Sequence, residues 1–115
     1  MKRIQKSEAI VFTNGQTCKG VEYSFDNKAL NVALVSVDGR YPETGYVMNE
    51  VCSEMGYVVS GEGKLCHKDG NELAVAVGDA VYIEPGEIYY WEGKTLSMVM
   101  PCAPAFYPEQ HKKIA

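Results

Sequence analysis

The sequence predicts an all-β protein, a small barrel or sandwich. Short runs rich in Val, Ile, Tyr and Thr recur at intervals of about ten residues. Residues that tolerate positive φ fall between nearly all of them. Few windows hold a 3.6-residue apolar period beyond two turns.

Ten runs follow in order: EAIVF (8–12), TCKGVEYSF (17–25), ALNVALVSV (29–37), GYVMNEV (45–51), EMGYVVS (54–60), GKLCHK (63–68), ELAVAV (72–77), AVYIE (80–84), IYYWE (88–92) and TLSMVM (95–100). Asn14-Gly15, Asp26-Asn27, Asp38-Gly39, Asp69-Gly70, Gly78-Asp79 and Pro85-Gly86 separate them, and Gly61 and Gly63 flank one further junction. The tail PCAPAFYPEQHKKIA carries three prolines, which bars it from a central strand. It is expected to cross the barrel surface, with one helical turn near Pro108 to Lys112. The chain therefore reads as one domain over 1–115: an N-terminal strand at 8–12, a barrel core from about 17 to 100, and a tail at 101–115.

Composition bounds the function. At 115 residues the chain can bury roughly two thirds of its unfolded surface, enough for a core. A net charge of −4 provides no electrostatic footprint for a nucleic-acid partner. No apolar stretch approaches the ~20 residues of a membrane span, and MKRIQKSEAIVF lacks the apolar run of a signal peptide. A cytoplasmic protein is expected. Cys18, Cys52, Cys66 and Cys102 form no C-x-x-C pair, so free buried thiols are favoured over disulfides or a zinc site.

Two segments are more specific than the strand pattern. EMGYVVSGEGKL places Glu54 seven residues before Gly61, and GDAVYIEPGEIYY places Gly78 eight before Gly86, with Tyr89 three residues beyond. Over roughly residues 30–110 they resemble the two motifs of the cupin superfamily. The resemblance implies a jelly-roll β-barrel, the double-stranded β-helix. It also implies a divalent metal held by three histidines and one glutamate, a donor set suited to transition metals. Here the first motif keeps Glu54 and Gly61, but its histidine positions fall on Val47 and Asn49, or with a shorter spacer on Met48 and Glu50. In the second motif Gly78 and Gly86 match, Glu84 replaces a proline, Tyr89 the histidine and Gly93 the asparagine. One ligand of four survives. The expectation is a cupin barrel with no cofactor, a divalent metal being disfavoured.

Alternation along the strands then groups the candidate site. Tyr89 and Trp91 share a face, as do Val47, Asn49 and Val51, and as do Glu54, Gly56, Val58 and Ser60. The expected ligand-binding residues are Val47, Asn49, Glu54, Tyr89 and Trp91, with Glu54 and Tyr89 as catalytic candidates. Tyr89 and Trp91 could equally plug the barrel, since small barrels are often filled by side chains. Glu54, buried without a metal, would have a raised pKa and could act as acid or base. Cys52 reads as a small buried hydrophobe. His67 and His111 are expected on the surface, too far apart in sequence pattern for a metal pair.

The expected function is small-molecule binding, with a small organic ligand and a homodimer as partners, and no nucleic acid or membrane. The resemblance supplies the homodimer, and EAIVF offers an apolar strand to a neighbouring edge. The alternative is an acid/base isomerase, epimerase or lyase acting on a sugar- or acid-like substrate through Glu54 and Tyr89. The fold alone does not choose between them.

Overall fold

Nine strands form in the computed structural model, which describes residues 1–115: β1 (Ile10–Asn14), β2 (Cys18–Tyr23), β3 (Asn31–Tyr41), β4 (Tyr46–Asn49), β5 (Ser53–His67), β6 (Glu72–Ala76), β7 (Ala80–Ile83), β8 (Ile88–Ala103) and β9 (His111–Ile114). Every pairing is antiparallel. The main path runs β1-β2-β3-β8-β4-β9, and β5 pairs with β6, β7 and β8. β3 and β4 lie in succession along one edge of β8, while β5 follows the other. The curled sheet is an all-β jelly-roll barrel.

The ten expected runs become nine strands because two pairs of runs fuse and the tail adds one. Residues 54–60 and 63–68 are one strand, as are 88–92 and 95–100. The glycines between them mark bulges rather than turns. Register shifts fall between Val58 and Ser60 and between Ser60 and Glu62; Gly61 has φ 74° and Thr95 φ 46°. Side-chain parity changes across this point. In β8 the buried residues are Tyr89 and Trp91 before it, then Leu96, Met98, Met100 and Cys102 after it. Each long strand therefore serves two walls of one barrel, with apolar side chains turned inward on both sides of the bulge. Ser60, expected on the face of Glu54, is exposed because the bulge begins there.

The aromatic run after the Pro85-Gly86 turn divides by the same alternation. Tyr89 and Trp91 point inward, and Tyr90 lies outside beneath the Arg40 guanidinium, 3.8 Å from its ring centre. Arg40 also donates to the carbonyls of Pro42 (2.6 Å) and Gly45 (2.9 Å), fastening the loop between β3 and β4. All four cysteines are free and buried.

The tail does more than cross the surface. A 3-10 turn at Pro108–Gln110 leads into β9, which pairs with β4 as an edge strand and carries two lysines.

The close approach at the bulge is testable. A Cβ at Gly61 would run into the Thr95 carbonyl, whereas one at Gly70 (φ 100°) meets nothing within 4 Å. Gly70→Ala should therefore cost only the left-handed backbone term, about 1–2 kcal/mol, and Gly61→Ala at least about twice that. Thermal unfolding of both variants checks this; equal losses would show that the strand contact contributes nothing.

Candidate functional site

The barrel is hollow. A cavity of about 420 Å³, within the range of small-molecule sites, opens along the inner face of the sheet. Val35, Val37, Met98 and Met100 give it an apolar floor, and Ile10 and Phe12 of β1 and Phe106 of the tail rim it. Tyr89 and Trp91 form part of its wall instead of filling it, both almost wholly buried. Neither the Tyr89 hydroxyl nor the Trp91 indole N–H has a partner in the chain, yet no polar side-chain atom is sealed away unpaired. Both polar tips therefore face the cavity.

Glu54 enters from β5, where its backbone pairs with Cys102 of β8 on one side and Ile83 of β7 on the other. It lies deep in the wall, with only its cavity-facing edge accessible. Burial drives its carboxyl pKa from 4.5 up to about 7, and a long hydrogen bond from Asn49 Nδ2 to Oε1 (3.5 Å) offsets part of that. Gly56, next inward on the same face, leaves room filled by Met98 and Val81.

Asn49 stands behind Glu54, buried and outside the cavity lining. Its Oδ1 receives the Gln110 Nε2–H at 3.4 Å and lies 2.7 Å from Nδ1 of His111. Nε2 of His111 is 2.8 Å from the Tyr41 hydroxyl. Tyr41 and His111 both line the cavity, their rings stacked at an interplanar angle of 5°. Burial lowers the pKa of His111, with the Lys113 charge adding to it, and burial raises that of Tyr41. Burial likewise holds the Tyr89 phenol well above its ordinary range, with the Glu54 charge adding to it.

The expected site residues thus take three positions. Glu54, Tyr89 and Trp91 line the cavity; Asn49 contacts Glu54 from behind; Val47 is fully buried in the wall and reaches no lining surface. Val51, grouped with Val47 and Asn49 by parity, is instead 45% exposed, because β4 ends at Asn49 and the chain bends before it. Cys52 is fully buried; its S–H donates to the Pro104 carbonyl at 3.3 Å, and burial raises its pKa.

Three residues at the site went unanticipated: Tyr41, Gln110 and His111. His111, expected among surface charges, is delivered by β9. The signal for it was faint: a four-residue run with paired lysines after a proline turn, the signature of a charged edge strand.

The metal set implied by the motifs does not fit this chain. The first motif's histidine positions hold Val47 and Asn49, or with the shorter spacer Met48 and Glu50, the second motif's holds Tyr89, and no three His, Cys, Asp or Glu side chains converge closely enough to hold one ion.

Residues 34–100 match the family model for the cupin domain, more than half of the chain. The chain belongs to the cupin family. Among solved structures, a single-residue variant of Streptomyces PAC13 with uridine superposes with a TM-score of 0.86 at 22% identity, covering 100% of this chain and 92% of that one. Another structure of Pac13, described as a unique nucleoside dehydratase, gives 0.85 at 22% identity, covering 99% and 91%. Ectoine synthase from P. lautus gives 0.70 at 14% identity, covering 89% and 79%. At these identities the likeness is one of fold. No curated protein sequence matches the chain.

Burial of the Glu54 carboxyl ties the stability of the fold to pH. Its folded pKa lies above its unfolded one, so the folded protein holds a proton that the unfolded chain has lost. Stability therefore falls as pH rises from about 4.5 to about 7 and stays lower above that. At ~1.4 kcal/mol per pK unit the loss is on the order of 3 kcal/mol. Glu54→Gln should match wild type near pH 4 and exceed it at pH 8 by up to about that amount. Urea unfolding across the pH range checks it; a difference that does not vary with pH would place the carboxylate in free contact with water.

Proposed function

We propose that the barrel binds a small, uncharged, hydroxyl-bearing molecule of the nucleoside kind and acts on it by acid–base proton transfer, as a lyase or isomerase. The carrying observation is Glu54: a carboxyl with a pKa of about 7 facing a 420 Å³ cavity, poised to give or take a proton near neutrality. Trp91 and the other aromatic walls suit a flat ring, and the free tips of Tyr89 and Trp91 offer it hydrogen bonds. Binding alone would leave unexplained why a carboxyl is buried there.

The lining also selects by charge. It holds two carboxylate residues, Glu22 and Glu54, and no lysine or arginine. A phosphate or carboxylate would enter without a counter-ion, at a large desolvation cost. The sugar-like substrate class therefore fits and the acid-like one does not. That Pac13 is described as a nucleoside dehydratase supports the class by likeness of fold.

The test is a binding and exchange panel. Uridine should bind, seen by saturation-transfer NMR, while uridine monophosphate should not. Nucleosides and sugars with a C–H beside a carbonyl should lose that proton in D₂O with wild type, and at least about 100-fold more slowly with Glu54→Gln. Tyr89→Phe, which keeps the ring, should weaken binding with little change in thermal midpoint. Tight phosphate binding, or exchange indifferent to Glu54, would sink the reading.

We also infer a metal-free homodimer. The outer face of the sheet carries a row of paired apolar residues across β1, β2, β3, β8 and β5: Val11, Val21, Leu34, Val99 and Tyr57. Val11 is 76% exposed and Tyr57 48%, surface that a second copy would cover. Native mass spectrometry reads both claims at once. The expected mass is twice 12.7 kDa with no stoichiometric metal; a monomer, or one equivalent of bound metal per chain, counts against the respective half.

A further inference from the structure

The hydrogen bonds behind the cavity wall form a chain whose direction is set at one end. Gln110 is 1% exposed, and one of its amide atoms lies 3.1 Å from the backbone N–H of Val51 and 3.2 Å from that of Cys52. Backbone N–H groups only donate, so that atom is the oxygen. The other amide atom is then an N–H donor, and the Asn49 atom facing it must be Oδ1. Asn49 therefore turns its Nδ2 toward Glu54. Oδ1 only accepts, so Nδ1 of His111, 2.7 Å away, must carry a hydrogen. Neutral histidine carries one ring hydrogen, which leaves Nε2 a bare acceptor. The partner of Nε2 is the Tyr41 hydroxyl, and that hydroxyl must donate.

We propose that Gln110 is a positioning residue that locks this chain in one direction, so that Tyr41 presents only oxygen lone pairs to the cavity and, backed by His111, serves as the base that complements Glu54. The base role rests on the acid–base reading above; the locked direction does not. As a ligand proton moves to the Tyr41 oxygen, the hydroxyl's own proton passes to Nε2 of His111. The tyrosine ends neutral, the imidazole becomes imidazolium, and the electron pair of the broken bond stays on the ligand. Glu54 returns a proton to the departing or rearranged group and becomes a carboxylate. Asn49 then stands between the two new charges, accepting from the imidazolium through Oδ1 and donating to the carboxylate through Nδ2. The direction that Gln110 imposes is the one this end state needs. The reverse chain would have Nε2–H donating to Tyr41 and no acceptor for its proton.

The ligand class follows: a molecule with an acidic C–H, O–H or N–H aimed at Tyr41 and a group requiring protonation near Glu54.

The tautomer is readable without any ligand. Long-range ¹H–¹⁵N spectra distinguish a protonated from a bare ring nitrogen, and the chain has only one other histidine, His67, which His67→Ala removes. At pH 7.5 wild-type His111 should be neutral with the hydrogen on Nδ1. Gln110→Glu keeps an acceptor for the Val51 and Cys52 N–H groups but cannot donate to Asn49. The Asn49 amide should then turn over, present Nδ2 to His111 and move the ring hydrogen to Nε2. An Nε2–H tautomer or an imidazolium in wild type would overturn the proposal, whether or not the variant folds. An unchanged tautomer in a folded Gln110→Glu would remove Gln110 from the role. Should Nδ1–H be found while Glu54→Gln leaves proton exchange unaffected, the acid–base function fails and the locked chain stands. With exchange dependent on Glu54, Tyr41→Phe should slow it at least about 100-fold; a slowing under threefold would assign the base elsewhere.

Discussion

The pairing of β5 with β8 is the constraint on which the rest of the molecule depends. These are the two longest strands, Ser53–His67 and Ile88–Ala103, and their ladder runs from Ser53 opposite Ala103 to His67 opposite Tyr89. A straight ladder of that length would turn one face inward throughout and form an open ribbon. The shared bulge at Gly61 and Thr95 bends it instead and exchanges which residues face in. One end then contributes Glu54 and Cys102 to the cavity, and the other contributes Tyr89 and Trp91. Acid and aromatic wall, more than thirty residues apart in sequence, meet because the same two strands carry both.

Against that frame the polar groups are expensive. Glu54, Asn49, Gln110, His111 and Tyr41 are all largely withdrawn from water, and each unpaired buried polar group would cost roughly 1–3 kcal/mol. Their bonds to each other remove most of that cost. Glu54 is the exception, with a single long bond to its carboxylate. Its pKa and that of His111 move oppositely: burial raises the acid and lowers the base, so both groups are pushed toward their neutral forms. Stability thereby falls with pH through Glu54 and rises with pH through His111 in overlapping windows. The whole-protein pH profile mixes the two, and only a variant-minus-wild-type difference isolates either.

Much of this was legible in the sequence, for identifiable reasons. β-branched runs and turn residues carried the all-β barrel, and two glycine-spaced motifs carried the cupin resemblance. Period-two alternation put Tyr89 and Trp91 on one face, since that rule needs no knowledge beyond the strand itself. Alternation failed where the backbone was irregular. Ser60 and Val51 turned outward because a bulge and a strand end broke the parity count. The glycines that announce such a bulge look the same in sequence as those that announce a turn. His111 was missed for a different reason. Its place depends on β9 pairing with β4, a contact between residues some sixty apart that no local pattern encodes.

That last contact also brings a histidine to a barrel whose motif ligand positions carry none. The positions from which the family's histidines would project are held here by Val47 and Asn49, or with the shorter spacer Met48 and Glu50, and by Tyr89. An ionisable imidazole is nonetheless present at the cavity, brought from the C-terminal tail instead of from the motif strands. Asn49 occupies a histidine position and binds the tail histidine through its amide oxygen, while its amide nitrogen holds the one surviving acidic ligand, Glu54. The two ends of one amide thus join the Glu54 carboxyl to the His111 imidazole. In the acid–base reading proposed above, this joint links the proton donor Glu54 to the base formed by Tyr41 and His111. It needs a residue such as Gln110 to decide which way the protons point, because an amide, unlike a metal ion, has two different ends.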